Sequence, residues 1–169
     1  MARSGVKLPR YDNGSFSASS QVQIPILFSD TQYNVVEIRV RFFGSAGDTI
    51  NLGAKNAAGT GLNLYEFQST TKRFNTSDSV YAASNAGAMP LAPNNGGLSV
   101  DGVSTITMCK ATGNSRNHFF FDTAYLWGGI GAARSSGQGF FDTSATVGTL
   151  LIAPLSGTVT GTYSTVHYY

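Results

Sequence analysis

Val36, Ile38, Val40 and Phe42 alternate with Glu37, Arg39 and Arg41. Side chains of a β-strand point to opposite faces in turn, so this run reads as a half-buried strand with a charged outer face. The cluster Gly44-Ser45-Ala46-Gly47-Asp48 ends it, and Ile50-Asn51-Leu52 resumes the extended pattern, which reads as a hairpin. No window carries sustained helical periodicity, and neither a heptad nor a collagen repeat is present.

The rest of the chain repeats this theme at short intervals. Val22–Phe28 is extended, and Pro25 assigns it to a sheet edge or bulge, because proline cannot donate a ladder hydrogen bond. Further strands are expected at Leu62–Ser69, Ser79–Ala83, Val103–Lys110, His118–Trp127, Thr146–Ala153 and Thr158–Tyr168. Asn85–Gly102, with Pro90, Pro93 and the run Asn94-Asn95-Gly96-Gly97, reads as a long exposed loop. Gly128–Gly139 reads as turn material. Composition agrees: charged residues are only 12% of the 169, while 19 Ser, 17 Thr and 20 Gly supply the polar surface. Such a chain lacks the charged faces of a helical bundle, and its 11 Phe and 8 Tyr are too costly to leave in water as a disordered coil. The expectation is all-β: an antiparallel β-sandwich of the jelly-roll kind spanning residues 21–169 as one domain, preceded by an extended N-terminal arm, residues 1–20.

Charge is unevenly placed. The formal net charge is +2, yet Arg3, Lys7 and Arg10 give the first ten residues +3 and leave the body at −1. A near-neutral body has no basic stripe for a nucleic-acid backbone, so nucleic acid is not an expected partner. The three arm cations are candidates for contact with an acidic protein surface. No stretch is apolar for long enough to span a membrane, and the first twenty residues lack the apolar run of a signal peptide. Asn13-Gly14-Ser15 and Asn75-Thr76-Ser77 match the glycosylation pattern but carry little weight without a secretion signal.

Little in the sequence points to catalysis. One cysteine, Cys109, excludes an internal disulfide or a cysteine-based zinc site, and its alternating surroundings make it a small hydrophobe on a strand. The two histidines, His118 and His167, lie in no nucleophile-elbow context, and the nine carboxylates are dispersed singly. Gly129-Ile130-Gly131 is followed by neither a Gly-Lys-Ser/Thr step nor an amphipathic helix, which excludes a phosphate loop. No enzyme activity, metal or cofactor is expected. The functional candidates left are aromatic. Phe119-Phe120-Phe121 and Tyr125-Leu126-Trp127 put rings on both faces of one strand, and Val166-His167-Tyr168-Tyr169 closes the chain. One face fills a core; the other meets a second subunit or a ligand. Tyr125, Trp127, Tyr168 and Tyr169 are therefore candidates for stacking on a sugar ring or for an oligomer interface.

The C-terminal third carries a family likeness. Gly139-Phe140-Phe141-Asp142-Thr143-Ser144-Ala145-Thr146-Val147, then Leu150-Leu151-Ile152, Ser156-Gly157-Thr158-Val159-Thr160-Gly161-Thr162 and Val166-His167-Tyr168 are similar to a pattern that ends many tailed-phage virion proteins. Val35–Phe43 with Gly44–Leu52 resembles the earlier strand pair of the same module. Phe141 stands where that pattern commonly has Trp, and Tyr169 stands where Gly would follow Tyr168. The resemblance implies a jelly-roll-like module of capsid decorations, head fibres and tail fibres, oligomeric and often trimeric, with no catalytic residue to carry over. The expected function is a non-enzymatic virion structural protein, foremost a capsid decoration or minor capsid protein. The alternative is a lectin-like receptor-binding module of a tail or head fibre. Expected partners are other capsid or tail proteins, further copies of the chain in a trimer, and a host surface glycan. The expected location is the virion, assembled in the host cytoplasm.

Overall fold

A computed structural model describes residues 8–29, 32–45, 49–73, 78–93, 99–110, 116–127, 131–141 and 146–169. Strands run β1 (Arg10–Ser19), β2 (Val22–Pro25), β3 (Val35–Gly44), β4 (Ile50–Asn56), β5 (Gly61–Leu62), β6 (Leu64–Arg73) and β7 (Ser79–Ala86). They continue as β8 (Met89–Ala92), β9 (Val100–Cys109), β10 (His118–Trp127), β11 (Gly131–Phe141), β12 (Val147–Pro154) and β13 (Val159–Tyr168). All pairings are antiparallel, in an eight-stranded sheet ordered β1-β13-β3-β9-β10-β11-β6-β7 and a smaller sheet ordered β2-β12-β4-β5, with β8 also beside β4.

The connectivity is that of a hairpin rolled across two layers. The first strand pairs with the last, β2 with β12, β3 with β9, and β4 with β5 and β8, which share its outer edge end to end. That is jelly-roll order, enlarged by β10, β11, β6 and β7, which extend one sheet beyond β9. The core lies between the layers. Val36, Ile38, Val40 and Phe42 of β3 are fully buried, as are Ile24 of β2, Ile50 and Leu52 of β4, and Leu150 and Ile152 of β12. Each such side chain contributes about 1.5–3 kcal/mol relative to exposure. Glu37, Arg39 and Arg41 are exposed on the outer face. Pro25 sits on β2, an edge strand, where its missing donor costs nothing.

Three expectations are corrected. Val35–Gly44 and Ile50–Asn56 are not a hairpin, because β3 and β4 belong to opposite sheets. Of the extended arm of residues 1–20, Arg10–Ser19 form β1, in register with β13 from Arg10↔His167 to Ser15↔Thr162. Phe16 packs on the core from this strand, which the polar look of residues 13–20 concealed. The segment 85–102 is not simply an exposed loop: Met89, Leu91 and Ala92 are fully buried in β8.

The glycine-rich stretch supplies the third. Gly131–Phe141 is a full strand, β11, and its glycines make space rather than turns. A Cβ at Gly137 would lie 2.5 Å from the Gln68 carbonyl oxygen and 2.5 Å from the Phe121 ring, and one at Gly139 would lie 2.7 Å from the Phe119 ring. Rings from β10 lean over bare backbone on β11, which lets a strand with three large buried aromatics pack in one layer.

Candidate functional site

The inner face of the eight-stranded sheet changes character along its width. Over β3 it is aliphatic. Farther out, the register aligns Ser104 with Thr123, Thr123 with Ser135, Ser135 with Thr71 and Thr71 with Ser79. The first four hydroxyls are buried and pair off: Ser104 and Thr123 are 2.8 Å apart, and Thr71 donates to Ser135 at 3.2 Å. Buried hydroxyls left without partners would each cost about 1–3 kcal/mol, so pairing is what makes this polar row tolerable. The adjacent row carries Tyr125, Ala133 and Arg73. Both ends of that row reach the same acceptor: Tyr125 donates its phenol to the Pro93 carbonyl at 2.9 Å, and an Arg73 Nη2–H points to it at 3.5 Å. Burial pushes the Tyr125 phenol pKa up, with the Arg73 charge partly opposing, so it remains a donor.

The smaller sheet does not reach across this width. β8 packs over β9, β10 and β11, and beyond it the inner face of β6 and β7 opens into a cleft of about 380 Å³. Thr71, Arg73, Ser79 and Tyr81 form one wall; Thr49, Asn51, Pro90, Pro93 and Leu155 face them from the opposing layer. Tyr81 is 52% exposed, with its ring stacked on Phe67 at a centroid distance of 5.6 Å. Asp78, at the entry to β7, is ion-paired with Lys72 at 3.9 Å.

The outer face of the same sheet is a second feature. Phe43 of β3, Val103 of β9, and Phe120 and Leu126 of β10 are exposed. Register sets Phe43 and Leu126 on either side of Asp101 and Val103 beside Ala124, while Phe120 lies farther along β10, beyond Asp122. Charge is interspersed with these side chains: Asp101 stands between Phe43 and Leu126, Arg39 and Arg41 are exposed on β3, and Arg134 grips Asp122 with two hydrogen bonds, the Nε–H donating at 2.8 Å. That fork holds the Asp122 carboxyl below its ordinary value.

The sequence-derived candidates are scattered. Arg3 and Lys7 lie outside the described residues, and Arg10, in β1, is ion-paired with Asp12 at 3.1 Å. Tyr125 is 3% exposed, which closes its ring to any sugar. Its parity explains this, because position 125 is in phase with the buried Phe119 and Phe121. Trp127 ends β10, paired with Gly131 and Val100, and its side chain lies outside the described residues. Tyr168 is half-buried and donates to a Glu37 carboxylate oxygen at 3.2 Å. Its phenol pKa is raised by desolvation and by that neighbouring carboxylate. Tyr169 rests against Tyr33 at 5.1 Å. His118 lies on the Phe140 ring at 5.1 Å, while His167 is buried, its Nε2 accepting the Leu27 backbone N–H at 3.2 Å. Cys109 is half-buried on β9. Among the described residues no group of His, Cys, Asp and Glu is placed to hold a metal ion, and no helix is long and apolar enough to cross a membrane.

Arg73 and Tyr81 were not among the candidates. The signal for Arg73 lies in phase: Phe67, Ser69, Thr71 and Arg73 occupy the inward positions of β6, and their drift from aromatic to charged marks where the sandwich stops covering them. No protein-family model matches the sequence, and no curated protein matches it.

Proposed function

We propose that this chain is a non-enzymatic virion structural protein of a tailed phage, a capsid decoration or minor capsid protein that works as an oligomer, in keeping with a trimer. The observation that carries the reading is the outer face of the eight-stranded sheet, where four large apolar side chains, Phe43, Val103, Phe120 and Leu126, are exposed. Large apolar side chains left open on an antiparallel sheet face, with charged groups such as Arg41, Asp101 and the Asp122–Arg134 pair between them, suit coverage by neighbouring subunits. The edge strand β7, Ser79–Ala86, adds to this, because it carries neither a charge nor a proline to discourage pairing with another chain. The phage context comes from the resemblance of the C-terminal third.

Quantitative mass spectrometry of purified particles, with the major capsid protein as reference, tests the reading. A copy number comparable to that of the capsid protein is expected, and Leu126→Lys should lower incorporation while leaving the melting temperature of the free protein unchanged. Absence from particles would overturn it. A handful of copies per particle would favour the alternative, a lectin-like receptor-binding module of a fibre, which a separate feature supports: the cleft at the β6–β7 end of the sheet.

A further inference from the structure

We propose that β7 is a dimerisation edge: two copies of the chain pair their Ser79–Ala86 strands antiparallel about a two-fold axis, joining two eight-stranded sheets into one. The inference rests only on the oligomeric part of the proposed function, and it uses an edge distinct from the outer face assigned there to neighbouring subunits.

The sheet edges of the molecule are not built alike. An edge is a row of unpaired backbone donors and acceptors, and native chains discourage pairing there with charge, proline, bulges or short strands. β1, at one end of the long sheet, carries Arg10 and Asp12, and its register with β13 shifts between Phe16 and Ser19, where Ala18 adopts a φ of 45°. β2, an edge of the smaller sheet, is four residues long and contains Pro25. On the other side of that sheet β5 has two residues, and β8 has four with Pro90 among them. β7 has none of these devices. It is eight residues long, without a proline or a charge, and it keeps one register with β6 from Ser79↔Thr71 to Ala86↔Leu64. Among the described residues β6 is its only ladder partner, so its far side is an open, regular edge.

The strand also fits itself. A two-fold axis through Ala82 sets Ala82 opposite its own counterpart and Tyr81 opposite Ala83 of the second copy, each pair on one face of the joined sheet. Ala83 leaves room for the Tyr81 ring, which Phe67 already holds by stacking at a centroid distance of 5.6 Å. Val80 and Tyr81, 64% and 52% exposed, bring apolar surface to the two faces of the seam. No like charges meet: in this register Asp78 falls opposite Ala86, and its carboxylate is paired with Lys72 of its own copy. Head-to-tail pairing of β7 with β1 would set a regular edge against a bulged and charged one, and would pass on to further copies. The two-fold contact uses both open edges and stops. Eight residues a side is well below the roughly 20–30 of a standard interface, so the dissociation constant is expected to be micromolar.

Sedimentation equilibrium of the full chain carrying Leu126→Lys, which removes association through the outer face, isolates this contact. A dimer is expected, and alternate amides of Ser79–Ala86 should be protected from hydrogen exchange at high concentration and open on dilution. Ala82→Lys and Ala82→Asp, at an exposed position, should each weaken the dimer about fivefold by setting like charges opposite one another, with circular dichroism unchanged. An equimolar mixture of the two variants should restore it as a heterodimer. A monomer at concentrations up to about 1 mM would overturn the proposal. So would a dimer indifferent to the Ala82 variants, or one without protection along β7. Growth into longer species would overturn it in favour of head-to-tail pairing. Particle copy number, which tests the structural role, is independent of all these outcomes.

Discussion

His167 shows how one side chain can tie an interior to pH. It is buried between β1 and the Leu27 turn, its Nε2 occupied by the Leu27 N–H, with the Tyr33 ring 5.7 Å away. Burial holds its pKa below the ordinary 6.5; the nearby Asp12 charge opposes that, while the charge of Arg10 reinforces it and the Arg10 backbone opposes it. Above 6.5 the imidazole is neutral in both folded and unfolded chains, and its contribution is fully present. As the pH falls below that value, the unfolded chain takes up a proton first, so stability drops by up to about 1.4 kcal/mol per pH unit until the folded value is reached. The melting temperature should therefore fall as the pH is lowered through 6.5. His167→Gln, whose side-chain oxygen can still accept the Leu27 N–H, should flatten that slope; an unchanged slope would place the acid sensitivity elsewhere. The site residues teach a related lesson. Tyr125 was legible as buried from its phase with Phe119 and Phe121, whereas its identity as an aromatic suggested a ligand surface. For Arg73 the phase was visible too, but that the Arg73 end of β6 lies where the smaller sheet stops covering it is a property of topology, not of local sequence.

Among the elements, alternation identified β3, β9, β10 and β13 because each buries one face only. β11 and β8 escaped it for physical reasons. In β11 the inward positions include Gly137 and Gly139, which contribute space instead of hydrophobic side chains. In β8 a four-residue strand with Pro90 is too short to show a period, and only the partner strand β4 defines it. Pairing β3 with β9 and β13, rather than with β4, also has no local signature, since it depends on chain closure over long separations. The role assigned to β11 can be tested directly. Gly137→Ala would drive a Cβ into the Gln68 carbonyl and the Phe121 ring, and should cost about 2–3 kcal/mol. Gly61→Ala, at a strand position with nothing within 4 Å, should change stability by less than about 0.5 kcal/mol. Chemical denaturation of the two variants decides it; equal stability would mean that the rings of β10 do not depend on bare backbone opposite them.

For the whole molecule, the long sheet is built from the outside of the chain inward. β13 lies between β1 and β3, so the last strand in sequence is an interior strand of the sheet, and β1 has it as sole ladder partner. Deleting residues 1–9 should leave the melting temperature unchanged, because among the described residues the ladder begins at Arg10. Deleting residues 1–20 should lower it by several degrees, by removing Phe16 from the core and baring the edge of β13. Thermal unfolding of the two truncations separates them, and equal melting temperatures would show that β1 adds nothing to the body. The same arrangement governs how the chain can be rewired. Arg10 and His167 face each other across one ladder, so the two ends of the body leave from a single corner. A linker of a few residues would join Tyr169 to Pro9 without crossing the molecule, and new ends could be cut between β6 and β7 at the far edge of the sheet. Cargo joined at Pro9 or at Tyr169 would emerge from the same corner, leaving the opposite edge, with the cleft, unencumbered for display.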